Sequence, residues 1–479
     1  MGFFQRKSAT LLAVAIGTFM AALDSSVVNL VLPIISAYFH TTLSVVEWAV
    51  MSYLLVISSL LLAYGRLGDM YGNKKIYLLG FILFTIGSLL CGMAASVAML
   101  IVFRVVQAIG AGMLMAMGPA IVTDTVDARN RGKALSVTAV AVASALTIGP
   151  VIGGFLASAF GWQSIFFVNI PIGIGGLWLA QKTIHKKDQH SPQSFDQVGA
   201  LIIFLALVCI LLPLSLVADY GWTNFWLWLF IVIGVGLVVG FVLWEKKVQH
   251  PLFDITLFYN RLFAMSNLSA LFNYMAQNTI ILLIPFYLQT LRGLQPNQAG
   301  LLYLPMPLTT MAVAPVSGTL SDRMDSRYIS SAGMALMAVG MGILSNLKAD
   351  SPYILMIVGL IVVGFGIGLF QTPNNSAIMG AVPRDKTGVA SGMLATMRNI
   401  GMVLGVAVAG AVFSSNQISL SSSLKSQGLG GHLLFKTAFE GALHITYLVG
   451  AGIAFVAMVT SLIKGSTRKG QCQKQKKSP

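Results

Sequence analysis

Residues 21–33 read AALDSSVVNLVLP and place a carboxylate inside a long apolar run. Asp24 lies well within a run that starts near Ser8 and continues to Pro33, and the only other strongly polar side chain nearby is Asn29. An Asp at the centre of a membrane helix costs about 2.5–3.5 kcal/mol on insertion scales. Such a residue indicates either a functional acid or one half of a static ion pair.

The composition is that of a membrane protein. Of 479 residues, 56% are hydrophobic and 9% are charged, and the mean hydropathy is +0.82. Soluble domains carry about 25% charged residues, which they need to cover their surface. The composition therefore excludes a soluble domain of this size and indicates a polytopic protein surrounded by the lipid bilayer.

Fourteen runs are apolar and long enough for a crossing helix, which needs about 20 such residues. The fold class is therefore predicted to be all-α, with fourteen transmembrane helices. The predicted spans are 9–38, 46–66, 75–95, 99–122, 134–157, 163–181, 198–217, 225–244, 262–288, 299–319, 328–346, 353–378, 390–413 and 440–463.

The basic residues predict the orientation. With both termini inside, the inner segments hold 24 of the 30 Lys and Arg residues and the outer loops hold four, while Arg104 and Arg398 fall within spans. Positive residues concentrate on the cytoplasmic side of a membrane protein. We therefore expect a multi-pass protein of the cytoplasmic membrane with both termini in the cytoplasm. The same asymmetry accounts for the net charge of +15 without a nucleic-acid partner.

Two short motifs recur at nearly one offset. Span 2 runs into GRLGDMYGNKK and span 10 into GTLSDR, so that Asp69 and Asp322 lie 253 residues apart. RGKALS before span 5 and KTGVAS before span 13 place Gly132 and Gly388 256 residues apart. The recurrence predicts two related six-span halves, a known plan of transporters, although short Gly and Asp turns also recur by chance.

The repeat divides the chain into four predicted segments. They are an N-terminal six-helix bundle (1–181), a cytoplasmic linker with two inserted spans (182–261), a C-terminal six-helix bundle (262–464) and a basic cytoplasmic tail (465–479).

The turn after span 2 is a candidate conformational gate. Gly65 and Gly72 allow tight packing and positive φ, and Asp69 can cap a following helix. A simple capped turn is the alternative. The recurrence at Asp322 and Arg323 favours a gating latch instead.

Span 4 contains RVVQAIGAG (104–112) and carries a guanidinium. Arg104 and Gln107 are three residues apart and share a helix face. A buried Arg in a membrane is costly and usually functional. Because Arg104 is near the outer end of the span, snorkelling to the lipid surface is the alternative.

Span 5 contains LTIGPVIGG, a cluster of small residues around a proline. Gly149, Gly153 and Gly154 permit close helix contact, and Pro150 removes a backbone hydrogen bond and bends the helix. Ordinary close packing is the alternative interpretation. The corresponding MVLGVAVAG of the second half has no proline, which confines the bend to one half.

Together these stretches resemble the major facilitator superfamily, in its fourteen-span drug:proton antiporter branch. LDSSVVNLVLP resembles that branch's motif in span 1, GRLGDMYGNKK the superfamily's motif between spans 2 and 3, and RVVQAIGAG the motif of span 4. LTIGPVIGG resembles the antiporter motif of span 5, and GWQSIFFVNIPIG the signature of the span after it. The five stretches occur in the family's order.

The resemblance implies two six-helix bundles around a central cavity lined by spans 1, 4, 9 and 12. Asn and Gln side chains that faced lipid would be costly, so those of these spans should face inward. Hydrogen bonds between helices are the alternative role. The candidate substrate-cavity residues are Asn29, Gln107, Asn267, Tyr274, Gln277, Asn278, Phe370, Gln371, Asn374 and Asn375.

Asp24 is the candidate proton carrier, with Arg104 as its coupling partner. The other fourteen acidic residues fall in predicted loops or near span ends. Burial favours the neutral carboxyl and Arg104 favours the carboxylate, so the group can titrate as its exposure changes. We therefore expect a proton-coupled antiporter that exports drugs or other lipophilic or amphiphilic compounds by alternating access. Members of the fourteen-span branch that expel divalent cations tend to carry further acids in late spans, and span 13 here has none. The resemblance therefore favours monovalent lipophilic cations or neutral amphiphiles as substrates.

Several other functions stay open or are excluded. A proton-coupled uptake symporter, an exporter of a dedicated metabolite, siderophore or lipid, and a receptor or channel are alternatives. The chain has no phosphate-binding loop of an ATP-driven pump and no HExxH or Ser/His/Asp set of an enzyme. Three widely spaced Cys residues show no metal spacing, so no metal and no cofactor are expected. The expected partners are a small-molecule substrate and protons, and we expect a monomer.

Overall fold

The structure, a computed structural model, describes residues 3–126, 131–184, 196–221, 223–248, 255–383 and 387–465. These residues form α-helices joined by short connections, with one 3₁₀ turn at Ile255–Tyr259 and one π turn at Tyr287–Leu291. The predicted all-α class is confirmed for the part of the chain that is described.

The helices of the first part of the chain are α1 (Phe3–Tyr38), α2 (Leu43–Val46), α3 (Trp48–Tyr71), α4 (Asn73–Gly92), α5 (Val97–Thr125), α6 (Arg131–Phe160), α7 (Ser164–Phe167), α8 (Asn169–Thr183), α9 (Gln197–Tyr220) and α10 (Phe225–Glu245). Those of the second part are α11 (Arg261–Phe286), α12 (Pro296–Tyr303), α13 (Pro305–Arg323), α14 (Ser326–Leu344), α15 (Tyr353–Gly380), α16 (Thr387–Ser426) and α17 (Gly431–Ile463).

The number of crossing helices differs from the prediction. Within the described ranges, twelve helical stretches are long and apolar enough to cross a membrane. Two of the predicted spans contain only shorter apolar stretches by this criterion, Ile148–Phe160 in α6 and Val198–Leu214 in α9. A helix stands at each of the fourteen predicted positions, but fourteen crossings are not supported by length and hydropathy.

Local sequence signals account for several helix ends. The Ser96 side chain accepts a hydrogen bond from the backbone N–H of Met99 and caps α5. Asp325 caps α14 in the same way through the N–H of Arg327. At the end of α3 the chain turns at Gly72 with φ of 93°, a conformation that favours glycine.

The chain divides into two compact units. The first comprises residues 1–210, 230–252 and 294–301, and the second comprises residues 211–229, 253–293 and 302–479. The residues predicted as an N-terminal bundle all belong to the first unit. The two inserted spans are shared between the units, and a short part of the predicted C-terminal bundle groups with the first unit.

The same order of packing occurs inside each unit. In the first unit α1 packs on α6, α5 packs on both α3 and α4, and α8 packs on α1 and α4. In the second unit α11 packs on α16, α15 packs on both α13 and α14, and α17 packs on α11 and α14. Corresponding helices therefore have corresponding neighbours, as expected of a repeat.

Candidate functional site

Asp24 lies inside the first unit, away from any lipid-facing surface. It belongs to α1, and only 2% of the residue is exposed. Its carboxylate points at α5 and α8, which contribute the nitrogen atoms around it. The apolar helix α1 thus places its one acidic residue, Asp24, in the interior of a helix bundle.

Arg104 is the cation of this centre. It is fully buried, and its Nη1 donates to Asp24 Oδ2 at 2.5 Å. Its Nε donates to the carbonyl of Ala49 at 2.8 Å, and its guanidinium lies 3.9 Å from the ring centroid of Tyr53. Cation–π contact of this kind favours the charged guanidinium. Because Arg104 is enclosed by α1, α3 and α5, the snorkelling alternative does not describe it.

Two amides complete the shell around the carboxylate. Gln107 Nε2 donates to Asp24 Oδ1 at 2.8 Å, while Gln107 Oε1 accepts from Arg104 Nη1 at 2.9 Å. Asn169 Nδ2 donates to the same Asp24 oxygen at 3.1 Å. The i, i+3 spacing of Arg104 and Gln107 therefore places both side chains on one carboxylate, as their shared helix face predicts.

A second layer fixes the two amides. Ser88 Oγ accepts from Asn169 at 3.0 Å and from Gln107 at 3.2 Å, and donates to the carbonyl of Phe166 at 2.9 Å. The Cys91 thiol lies 3.5 Å from Gln107 Oε1. Helices α1, α3, α4, α5 and α8 meet at this network, so its geometry depends on the packing of the whole unit.

The arrangement stabilises a carboxylate in this conformation. Asp24 accepts three N–H bonds, and one donor is a cation. Hydrogen bonds from a charged donor are stronger than neutral ones, so the described conformation holds Asp24 and its three donors together.

Asn169, Ser88 and Tyr53 were missed as candidate residues from the sequence. Asn169 stands inside the quoted stretch GWQSIFFVNIPIG, where a polar residue at the start of an apolar span was the available signal. Ser88 and Tyr53 carry no such signal, because Ser and Tyr are ordinary in membrane helices. Their roles depend on which helices pack together.

Asp24 is not the only buried acid among the described residues, although the others lie at helix ends as expected. Glu47, Asp196, Glu245 and Asp325 are between 0% and 8% exposed. All four lie at helix ends, where sequence position indicates contact with water. The packing of neighbouring helices removes that contact, and this cannot be seen in the hydropathy pattern.

The antiporter motif packs tightly on α1. A Cβ atom at Gly149 would lie 2.7 Å from Ser26 Oγ, and one at Gly153 would lie 2.6 Å from Val27 Cγ1. Both distances are below those that carbon atoms tolerate. The two glycines therefore hold α6 against the helix segment that directly follows Asp24.

The same motif also packs on α12. A Cβ atom at Gly154 would lie 2.4 Å from the carbonyl oxygen of Pro296, and one at Gly300 would lie 2.4 Å from the carbonyl oxygen of Pro150. Backbone meets backbone at both places, so neither contact can be relieved by a side-chain rotation. These glycines therefore have a structural role in helix packing, whether or not the motif also serves antiport.

The predicted cavity residues of α11 are largely engaged within their own helix. Asn267 Nδ2 donates to the carbonyl of Phe263, and Asn278 Nδ2 donates to the carbonyl of Tyr274. The Tyr274 hydroxyl hydrogen-bonds to Arg398 of α16. Asn267 and Asn278 are 0% and 3% exposed, so they face the interior of the second unit rather than lipid.

Asn374 joins three helices of the second unit. Its Nδ2 donates to the carbonyl of Ser266 at 3.0 Å, and its Oδ1 accepts from Lys464 Nζ at 3.4 Å. Lys464 follows the last residue of α17, is 1% exposed and also donates to Ser330 Oγ. Burial lowers the pKa of Lys464 to about 7, against a smaller opposing effect of Asp325. Asn374 thus has the interhelix role that was the alternative to a cavity residue.

The other predicted cavity residues differ in burial and in hydrogen bonding. The Asn29 amide is 5% exposed and donates to a backbone carbonyl of its own helix. Phe370 is 1% exposed, Gln371 and Asn375 are half-buried, and Gln277 Oε1 has no hydrogen-bond partner among the described residues.

The predicted gate is described only in part. Gly65, Asp69 and Asp322 lie outside the residues whose side chains the structure describes. Gly72 ends α3 in a left-handed conformation, and Arg323 is exposed at the end of α13. The latch between these residues stays a prediction.

Asp350, between α14 and α15, forms an ion pair with Lys436 of α17 at 2.5 Å, and its own side chain is exposed. The hydrogen bond from the Lys436 ammonium lowers the pKa of the Asp350 carboxyl. As to metals, no group of three or more His, Cys, Asp or Glu side chains stands together within the described ranges.

A family profile and curated relatives match the chain. The profile of the Major Facilitator Superfamily matches residues 14–197, 193–406 and 266–476. The riboflavin transporter RibZ of Clostridioides difficile (strain 630) is 35% identical over 463 residues, which cover 96% of this chain and 97% of that protein. The multidrug resistance protein Stp of Mycobacterium tuberculosis (strain CDC 1551 / Oshkosh) is 32% identical over 85% of this chain and 76% of its own length.

Solved structures of transporters share the fold. A bacterial homolog of the human lysosomal transporter Spinster, inward-facing and unoccupied, aligns with a TM-score of 0.64 and 18% identity over 96% of this chain and 98% of that one. A D-xylose–proton symporter aligns with a TM-score of 0.65 and 13% identity over 95% and 96% of the two chains. At these identities the similarity concerns the fold alone.

Proposed function

This chain belongs to the major facilitator superfamily and is a membrane transporter of small molecules rather than an enzyme, and we propose that it is a proton-coupled antiporter that exports drugs or other lipophilic or amphiphilic compounds. One observation carries the proposal: the buried Asp24–Arg104 pair in the interior of the first unit. An ionisable pair inside a membrane protein is costly and is used where a proton or substrate must be bound.

The pair supplies a mechanism for coupling. In one conformation Asp24 is ionised and bound by Arg104, Gln107 and Asn169. When the helices move, Asp24 loses these donors and takes a proton from the outside. Return of Arg104 to the carboxylate drives the proton off toward the inside, and each inward elementary charge gains about 2.3 kcal/mol per 100 mV.

The finer features of the transporter belong to the same proposal. Both termini are cytoplasmic, all fourteen helices cross the bilayer, and the chain acts as a monomer. The motifs around Asp69 and Asp322 gate access, and the glycines around Pro150 favour exchange over uptake. The polar residues of spans 1, 4, 9 and 12 contact the substrate when the cavity is open.

Riboflavin or a compound of similar shape is the second candidate substrate. The observation that favours it is the match to a riboflavin transporter over 96% of this chain, longer than the matched part of the multidrug resistance relatives. With such a substrate, proton-coupled uptake is an alternative to export.

Transport in proteoliposomes with an imposed pH gradient tests the proposal, with ethidium and riboflavin as the two probes. We expect movement of at least one probe against the direction of proton flow, and its loss in Asp24→Asn, which removes the charge and keeps the shape. Asp350→Asn is the matched control, because Asp350 is an exposed acid that is not part of the network.

The direction of movement separates the alternatives. Probe movement together with protons identifies a symporter. Proton-driven export that persists in a folded Asp24→Asn variant contradicts the proposed mechanism, and gradient-independent flux of both probes indicates a channel.

A further inference from the structure

Glu47 is a buried carboxyl that the proposed mechanism does not use. It stands between the last residue of α2 and the first residue of α3, and it is 0% exposed. Neither of its carboxyl oxygens has a hydrogen-bond partner in the part of the chain that the structure describes. Although it occupies the N-cap position of α3, its side chain makes no capping bond. No described residue stabilises a negative charge on Glu47 by hydrogen bonding.

Glu47 and Asp24 are therefore in opposite situations. Asp24 accepts three N–H bonds, including one from a guanidinium. Glu47 accepts none from the described residues. Removal of a carboxylate from water without donors is penalised far more than removal of the neutral acid. One and the same conformation thus stabilises a carboxylate at Asp24 and a carboxylic acid at Glu47.

Glu47 is connected to the Asp24 network through α3. The carbonyl of Ala49 accepts the Nε–H of Arg104, and the Tyr53 ring lies against the guanidinium. The Tyr53 hydroxyl donates to the carbonyl of Ala21 on α1. Since a helix rises 1.5 Å per residue, Glu47 is displaced from Ala49 by about 3 Å along the axis. A movement of α3 that opens the Asp24–Arg104 pair also changes the surroundings of Glu47.

Arg104 is the cation that bonds to α3 near Glu47. It uses its Nη1 and Nε on Asp24, Gln107 and the Ala49 carbonyl, and its Nη2 has no hydrogen-bond partner among the described residues, so it is not bonded to Glu47. Residues at the opposite end of α3 lie about 30 Å away, at 1.5 Å per residue. The charged and titratable residues of α3 and of the elements packed on it are Arg6, Lys7, Asp24, Tyr38, His40, Tyr53, Tyr64, Arg66, Asp69, Tyr71, Lys74, Lys75, Tyr77, Cys91, Arg104 and Asp124.

We propose that Glu47 is a second proton-binding site of this transporter. It holds its proton in the conformation described here, in which Asp24 is ionised. This inference rests on the proposed proton-coupled function and adds a protonated carboxyl to the ionised one, with no net inward proton of its own.

Infrared spectroscopy of the purified full-length protein tests the protonation state without any substrate. We expect the wild type and Asp24→Asn at neutral pH to show a C=O stretching component of a carboxylic acid that Glu47→Gln lacks. Wild-type and Glu47→Gln spectra that coincide in this region, from acidic to alkaline pH, would overturn the proposal.

The Glu47→Gln variant is expected to fold, because Gln has the shape of a protonated Glu. Glu47→Leu provides a second variant: with no hydrogen bonds lost, replacement by an apolar side chain of similar volume should be nearly neutral. Both should keep the thermal stability of the wild type. A large loss of stability in both variants shows that the carboxyl is bonded and contradicts its isolation.

The infrared comparison does not depend on transport. A wild type that moves no ethidium in proteoliposomes contradicts drug export, and the infrared comparison still decides whether Glu47 binds a proton.

Discussion

Arg104 is held by three different groups, and this makes it the residue on which the network depends. The guanidinium contacts a carboxylate, a backbone carbonyl and an aromatic face at the same time. A buried ion pair adds little net stability compared with apolar residues of the same volume, but removal of one partner leaves the other charge buried. The network is therefore sensitive to single changes and tolerant of paired ones.

This asymmetry can be measured with a double-mutant cycle. Arg104→Met leaves Asp24 without its cation, and we expect a loss of about 3–5 kcal/mol of unfolding free energy. Addition of Asp24→Asn should restore much of it, because no buried charge is left. Thermal unfolding in detergent gives the order of stabilities. A double variant no more stable than Arg104→Met alone would show that the pair is not the source of the effect.

Lys464 predicts a pH dependence of stability. Its pKa is lowered by burial to about 7, below its ordinary value of 10.5. Between these values the unfolded state binds more protons than the folded state, so the free energy of unfolding rises with pH. We expect the Tm of the wild type to rise relative to that of Lys464→Gln from about pH 7 to 9.5, and to change little below pH 7. A falling difference over the alkaline range contradicts the buried neutral amine.

At the scale of helices, α6 is positioned by contacts that leave no room for a side chain. Gly149 and Gly153 meet α1, and Gly154 meets the backbone of α12. The corresponding helix α16 packs on α11 in the same manner, with Gly401 against the carbonyl of Leu271. Since α16 has no internal proline and α6 has Pro150, the two otherwise similar helices differ in the backbone hydrogen bond that the proline removes.

Gly154→Ala tests the helix contact. A Cβ there would lie 2.4 Å from a backbone oxygen, so α6 or α12 must shift, and we expect a cost of about 1–3 kcal/mol as for overpacked cores. Gly175→Ala on α8 is the matched control, because no atom lies within 4 Å of its Cβ position. It should be neutral or stabilising, since Ala favours helix. Equal Tm values for the two variants would contradict the tight contact.

At the scale of the whole chain, the basic residues and the helices together predict the topology. The inserted helices α9 and α10 are the point of difference, because α9 has only a shorter apolar stretch among its described residues. If both cross, the turn between them lies outside and the end of α10 lies inside.

Cysteine labelling decides this arrangement. In a background with Cys91, Cys209 and Cys472 replaced, single cysteines are placed at Thr223 and Lys246, at opposite ends of α10. A membrane-impermeant maleimide should label the cysteine at position 223 in intact cells. It should label the cysteine at position 246 only after permeabilisation. Labelling of both from the same side would show that α10 does not cross.

Hydropathy predicted a helix at each of the fourteen span positions, because each depends on a continuous run of neighbouring residues. The candidate site was predicted in part for the same reason. Asp24 stands out against its own helix, and Arg104 and Gln107 share a face through local spacing. Twelve crossings are supported by the length and hydropathy of the described residues, and the crossing of α6 and α9 stays a prediction.

The sequence by itself determined that this protein is a bundle of apolar helices with Asp24 and Arg104 inside apolar runs. Only the tertiary structure decided that Asn169 and Ser88 complete the shell of Asp24. It also decided that Glu47 is buried with no hydrogen-bond donor among the described residues. The physical reason is that burial and hydrogen bonding in a membrane interior depend on which distant helices meet, and contacts between residues up to 145 positions apart leave no local signal in the chain.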